Sequence, residues 1–230
     1  MKTIGLLGGM SWQSTLDYYK LINQQVNTQL GGLHSAKICL VSVDFSSLEK
    51  NMSAGNWGAC AATLIAAGKS VEKAGADCLL ICTNTLHKVA PEVAKATNIP
   101  LLHIADGAGQ VLVDKGISAI GLLGTRFTME EDFYIQRLTD KFGLEVYTPA
   151  ASDRTIVDCV IFDELCNGIV NKASQVEYLR IMDELKQQGA EAILLGCTEI
   201  AMLVNESHTE IPLFDTTVIH ATMAVDFSLD

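Results

Sequence analysis

The sequence predicts an α/β protein with two pseudo-symmetric lobes. Each lobe has a mostly parallel sheet flanked by helices, and the ligand site is expected in the cleft between them. Three observations carry this. Short apolar runs alternate with helical stretches along the whole chain, the pattern of βαβ units whose strands are covered on both faces. The chain also repeats itself: IGLLGG at 4–9 returns as IGLLGT at 120–125, KAGADCLLICTNT at 73–85 as QQGAEAILLGCTEI at 187–200, and NIPLLHIAD at 98–106 as EIPLFDTT at 210–217, at offsets of 116, 114 and 112 residues. Finally, each repeated motif falls at the carboxyl end of a strand, where open α/β sheets bind ligands.

The expected strands are TIGLLGG (3–9), KICLVSV (37–43), ADCLLICT (76–83), PLLHIA (100–105), AIGLLGT (119–125), LEVYTP (144–149), EAILLGCT (191–198) and PLFDT (212–216), each short and dominated by apolar residues. The segments between them read as helices at 12–30, 57–74, 86–96, 106–115, 128–141, 154–166, 173–188 and 217–228. The repeat divides the chain into lobes at 1–115 and 116–230, with a blurred boundary because a helix of one half can pack on the other.

Bulk properties narrow the function. The 230 residues are 49% apolar and 19% charged, enough for a sizeable core. A formal net charge of −11 makes the chain a poor partner for nucleic acid or anionic lipid, although local amides and hydroxyls can still hold a small anion. No apolar run is long enough to span a membrane, and MKTIGLLGGMSW reads as a first strand rather than a signal peptide, so a cytoplasmic location is expected. Seven cysteines lie at irregular spacings with no paired CxxC, which argues against zinc and for reduced, mostly buried thiols. The dinucleotide fingerprint G-x-G-x-x-G is absent and no lysine has the context of a pyridoxal phosphate anchor, so no cofactor and no metal are expected.

Two pairs of loops stand out. Gly8-Gly9-Met10-Ser11 and Gly124-Thr125-Arg126-Phe127-Thr128 each join a strand to a helix. Their amides would favour a carboxylate or phosphate at the helix start, or the small residues simply permit a tight turn. Thr83-Asn84-Thr85 and Cys197-Thr198-Glu199 occupy matching positions in the other repeat. Cys197, ending a strand beside polar residues and a helix start, is expected to be part-exposed with its pKa lowered by the helix dipole. Cys82 precedes Thr83 on a strand and should point to the opposite face. His87 either orients the loop after Thr83 or is a satisfied structural histidine. His34, His103, His208 and His220 have no ligand spacing, and Cys39, Cys60, Cys78, Cys159 and Cys166 read as packing residues.

Taken together, IGLLGGMSWQST, CTNTLHK, LLGTRFTMEEDFY, FDELCNG, LGCTEI and PLFDTTVIHA resemble the aspartate/glutamate racemase superfamily over nearly the whole chain, most of all the bacterial aspartate racemases and broad-specificity amino-acid racemases. The resemblance implies a homodimeric isomerase that interconverts an amino acid and its D-form without pyridoxal phosphate or metal, a cysteine on each face of the substrate exchanging the Cα proton. It places Ser11, Asn84, Thr85, Thr125, Thr128, Thr198 and Glu199 around the substrate, with Met10 lining the same pocket, so that charge developing at Cα is delocalised into a held carboxylate.

The chain departs from that pattern twice. Where the superfamily has a cysteine directly before Asn-Thr, this chain has Thr83, and the thiol sits at Cys82. A thiol titrates near 8.5 and an alcohol near 15.7, a gap worth on the order of 10 kcal/mol, so Thr83 can give or relay a proton but cannot replace a thiolate base. By resemblance Cys197 is the base facing the L-enantiomer, and Thr83 meets the D-face. Second, VDFSSLEKNMSAG (43–55) lacks the arginine that aspartate-specific relatives often use for the distal carboxylate; Lys50 is its only cation. Met52 and the Ser46-Ser47 pair are the expected contacts there, with Arg126 as another candidate. The substrate is then aspartate, glutamate or a similar amino acid, a neutral polar one such as homoserine included. The alternatives are a dicarboxylate isomerase or decarboxylase of the same superfamily, and an amino-acid-binding protein weakened in catalysis.

Overall fold

A computed structural model describes all residues, 1–230. The chain divides into two units. One comprises Met1–Ile104 and returns for His220–Asp230; the other is the continuous stretch Ala105–Ile219. The cut therefore falls elsewhere than between 115 and 116, and the end of the chain rejoins the first unit.

In the first unit, β1 (Ile4–Gly8) leads into α1 (Trp12–Leu30), then β2 (Ile38–Ser42), α2 (Phe45–Ser53), α3 (Trp57–Lys73), β3 (Cys78–Ile81), a 3₁₀ turn (Thr85–Val89) and α4 (Ala90–Ala96). The strands form a parallel sheet in the order β2-β1-β3. Central β1 is buried throughout, as its run of Ile, Leu and Gly requires. Gly5 lets a helix press on the sheet: a Cβ there would fall 2.4 Å from Val71 Cγ1 and 2.6 Å from the Cys78 carbonyl oxygen. The core joins Ile4, Leu6, Tyr18, Ile22 and Leu80 to Ala221, Ala224 and Val225 from the end of the chain.

The second unit runs α5 (Ile104–Asp114), β4 (Ala119–Gly124), α6 (Arg126–Glu130), α7 (Asp132–Phe142), β5 (Glu145–Tyr147), α8 (Ala151–Cys159), α9 (Lys172–Gln188), β6 (Ala192–Gly196), α10 (Ile200–Leu203) and β7 (Leu213–Asp215), and opens α11 (Thr216–Leu229), most of which belongs to the first unit. Its parallel sheet has the order β5-β4-β6-β7. The core here includes Leu123, Val157, Tyr178, Met182, Ile193, Leu195 and Ile200.

The expected strand at 100–105 is not formed. Pro100 and Leu102 each make one backbone bond to Leu79 in a single parallel bridge, and the chain then turns into α5 at Ile104. The remaining backbone groups are taken by distant side chains: the Leu102 carbonyl accepts from His220 Nε2 at 2.7 Å, and the Ile104 amide donates to His87 Nε2 at 3.2 Å. Helix α2 lies in a stretch expected to be loop. Asp44 caps it by accepting from the Ser46 amide, and Leu48 and Met52, four apart, form its buried stripe. The helices expected at 128–141 and 154–166 are interrupted. Glu131 is extended between α6 and α7, and Val160–Glu164 widens into a π turn before a 3₁₀ turn at Leu165–Asn167.

Candidate active site

In each unit, two loops leave neighbouring strands at their carboxyl ends. In the first, Leu7 of β1 lies opposite Ile81 of β3, and the Cys82 amide makes the last ladder bond, 2.9 Å to the Leu7 carbonyl. In the second, Gly124 of β4 lies opposite Gly196 of β6. Cys197 directly follows Gly196, the last paired residue of β6, and Thr83 directly follows Cys82, whose amide makes the last bond to β1.

The loop after β1 is held by its own hydroxyls. Ser11 caps α1 through its side chain, which accepts from the Ser14 amide at 3.3 Å. Thr15 Oγ1 accepts from the Gly9 amide and donates to the Ser11 carbonyl, both at 2.8 Å. Gly9 sits at φ 88°, and a Cβ there would fall 2.2 Å from the Val43 carbonyl oxygen, so only glycine fits. The loop after β4 repeats the device: Thr125 caps α6, accepting from the Thr128 amide at 3.4 Å, and the two hydroxyls lie 3.2 Å apart.

These contacts change the expectation of open anion-binding amides. The amides of Gly9, Ser14 and Thr128 are occupied by hydroxyls, and that of Arg126 donates to the Asp158 carboxylate at 2.8 Å. Arg126 itself is turned outward to Glu130, which also holds Arg154. It is not placed as a free guanidinium for a substrate carboxylate. Met10, Ser11, Asn84, Thr85, Thr125, Thr128, Thr198 and Glu199 are all buried, as is Met52. Ser46, Ser47 and Lys50 lie on the exposed side of α2.

Thr83 is half-buried and fixed through its backbone. Its amide donates to the Ile81 carbonyl at 2.8 Å, a tight turn that takes it off the strand, and its carbonyl accepts from His87 Nδ1 at 2.7 Å. Cys82 goes the other way, as alternation demands. It is fully buried among Ile4, Leu6, Tyr18 and Leu80, and burial pushes its thiol far above the ordinary range. It is a packing residue.

Cys197 differs from expectation. It is 92% buried rather than part-exposed (8% exposed), and its pKa is raised, not lowered. Burial is the main cause and the negative charge of Glu199 the second. The helix that follows, α10, spans only Ile200–Leu203, and its dipole is too small to offset these. Cys197 Sγ donates to Glu199 Oε2 at 3.0 Å, and Thr198 Oγ1 donates to the same oxygen at 2.6 Å. Glu199, expected around the substrate, is thus the partner of the thiol. Cys166 packs against the cluster that holds Cys197, and burial followed by the Glu199 charge pushes its thiol up to about 12. The sequence offered no sign of that proximity beyond the FDELCNG motif itself.

The fold is thus an α/β protein with duplicated strand–loop–helix units that carry buried hydroxyls, a thiol and a carboxylate at the carboxyl ends of their strands. The chain belongs to the Asp/Glu/Hydantoin racemase family, whose pattern it matches over residues 7–224. It is similar to the broad specificity amino-acid racemase RacX of Bacillus subtilis (strain 168), 24% identical over 155 residues that make up 67% of this chain and 66% of RacX, just under two thirds of that protein's length. Among solved structures, a Yersinia pestis protein provisionally assigned as an Asp/Glu racemase is 50% identical with a TM-score of 0.93, and an aspartate racemase homologue from Pyrococcus horikoshii OT3 is 29% identical with a TM-score of 0.87; both matches cover 100% of each chain. The fold is shared further, with Picrophilus torridus aspartate racemase at a TM-score of 0.79 and 18% identity, covering 99% of this chain and 94% of that one.

Proposed function

We propose that the chain is a cofactor-independent amino-acid racemase that exchanges the Cα proton of aspartate, glutamate or a similar amino acid, with Cys197 and Thr83 as the two catalytic groups. The observation that carries this is the Cys197–Glu199 hydrogen bond at the end of β6, at the repeat position that Thr83 fills at the end of β3. The reading requires both groups to reach opposite faces of one Cα.

A buried thiol beside a carboxylate is not a standing thiolate. It becomes a base when its proton passes to Glu199 Oε2, 3.0 Å away. The thiolate then takes the Cα proton of the L-substrate. Return of that proton from Cys197 regenerates the L-form and Glu199 gives its proton back to the thiolate, whereas protonation by the Thr83 hydroxyl from the other face gives the D-form; solvent then reprotonates Thr83 and takes the proton from Glu199, which restores the starting state. Thr85, Thr125 and Thr128 supply hydroxyls for the α-carboxylate, which stabilises the developing charge, while Thr198 holds Glu199 beside the thiol. Lys50, Ser46 and Ser47 on α2 are the groups available to a distal polar group. The same reading takes the chain as a homodimer, supported by the resemblance and by an apolar stripe on α1, Trp12, Leu16 and Tyr19, exposed by 65%, 57% and 51%.

The test is proton NMR of the Cα signal in D2O for L- and D-aspartate, glutamate and homoserine, without added cofactor and after chelation. Faster exchange from an L-substrate is expected. No exchange from any of them, with ligand-dependent melting retained, would replace the racemase with a binding protein.

A further inference from the structure

We propose that His87 is a positioning residue: by holding the Thr83 carbonyl it sets the direction of the Thr83 hydroxyl and so governs protonation on the face opposite Cys197. The inference rests on the racemase reading above and adds a residue to it.

The hydrogen bonds leave the His87 ring one neutral tautomer. The Ile104 amide can only donate, and it reaches His87 Nε2 at 3.2 Å, so Nε2 is the acceptor. The proton is then on Nδ1, which donates to the Thr83 carbonyl at 2.7 Å. The Thr83 amide is meanwhile bonded to the Ile81 carbonyl. Both backbone polar groups of Thr83 are therefore committed, and the hydroxyl moves only by rotation about χ1, which is stiff for a β-branched residue.

The ring that does this is itself clamped. His87 is 1% exposed and packs against the His103 ring at 4.4 Å and the His220 ring at 5.8 Å between centroids. His220 takes the opposite tautomer, with Nε2 donating to the Leu102 carbonyl at 2.7 Å and Nδ1 accepting from the Tyr18 hydroxyl at 2.8 Å. The Leu102–Ile104 segment is thus pinned at both ends by imidazoles. A buried core histidine needs partners, but nothing about burial requires one of them to be the carbonyl of the residue at the reacting position. Misplacing a reacting group by about 1 Å can cost on the order of a hundredfold in rate, so this bond is placed where it matters.

The experiment separates the two ring nitrogens. The amide of His87→Asn reaches the Nδ1 position and can still donate to Thr83, whereas that of His87→Gln reaches the Nε2 position and keeps only the Ile104 bond. With an L-substrate in D2O, deuterated L-product reports Cys197 acting alone and deuterated D-product reports Thr83. The ratio of D- to L-labelled product should fall by about tenfold to a hundredfold in His87→Gln while exchange with retention stays near wild type, and His87→Asn should keep most of the wild-type ratio. Equal ratios in both variants, whether normal or lost, would overturn the proposal in favour of a packing role. Because a variant can fail to fold, the wild-type ¹⁵N shifts of His87 give a second reading: a protonated Nδ1 and an unprotonated Nε2 are expected, and the reverse tautomer refutes the bond to Thr83. Absence of any exchange in the wild type would instead refute the racemase reading itself.

Discussion

The loops after β3 and β6 occupy the same place in the two repeats and are held in opposite ways. Thr83 is fixed by its backbone, between the Ile81 carbonyl and the His87 ring. Cys197 is fixed by its side chain, through the proton it shares with Glu199. The contrast follows from chemistry. On the proposed racemase reading, an alcohol that delivers a proton needs only to be aimed, whereas a buried thiol that is to act as a base needs a nearby acceptor for the proton it gives up. Residue identity at one position has been matched by a different supporting contact at the next.

The sharpest way to break the comparison is to remove the thiol. Cys197→Ser should lower Cα exchange from the L-substrate by several powers of ten while circular dichroism stays unchanged. Cys82→Ser, which buries a hydroxyl among apolar groups, should instead cost about 1–3 kcal/mol of stability and leave exchange per folded molecule near wild type. If Cys82→Ser abolishes exchange in folded protein, the second group is Cys82 and not Thr83.

Removing the acceptor comes next. Glu199→Gln should slow exchange by about 10²–10⁴-fold at neutral pH. It should also change the pH profile. Internal transfer to Glu199 leaves the net proton count unchanged, so the wild type should be nearly flat around neutrality. In the variant the thiol must lose its proton to solvent, and because burial alone still raises its pKa, the rate should climb about tenfold per pH unit on the alkaline side. A flat profile in the variant would remove Glu199 from the proton path.

Making the two loops alike sharpens the comparison. Thr83→Cys should raise Cα exchange from the D-substrate by about tenfold or more, since a group titrating near 8.5 replaces one near 15.7, with little change for the L-substrate. Unchanged D-exchange would point to a water relay on that face.

The smallest effect concerns stability. His220 is fully buried and neutral, with its pKa lowered to about 4, mainly by burial. Its folded pKa lies below the unfolded value of about 6.5, so its contribution is complete above pH 6.5 and is lost as the pH falls towards 4, by about 3 kcal/mol in all. Urea midpoints measured over that window should fall in the wild type, and less in His220→Gln. Equal slopes would mean that the acid sensitivity lies elsewhere.

Much of this could be read along the chain, because the relevant signals are local. β1, β3, β4 and β6 announce themselves as apolar runs, and the repeat puts Thr83 opposite Cys197 in alignment. What escaped depends on side chains that arrive from far away. PLLHIA has the composition of a strand, yet histidines at 87 and 220 claim its backbone groups. Cys197 has the sequence context of an activated thiol, but its pKa depends on the depth of burial and on where one Glu199 oxygen points, neither of which is a property of neighbouring letters. Helix α2 went unread although the Asp44 cap and the Leu48–Met52 spacing mark it, because it is short enough to pass for a loop.

The return of residues 220–230 to the first unit has a consequence for folding. The second unit is continuous, whereas the core of the first takes in Ala221, Ala224 and Val225 from beyond it in sequence. The Tyr18 hydroxyl and the Leu102 carbonyl find His220 across 202 and 118 residues. The first unit therefore meets a loop-closure cost for its core that the continuous second unit does not, and its native contacts should be the slower to form.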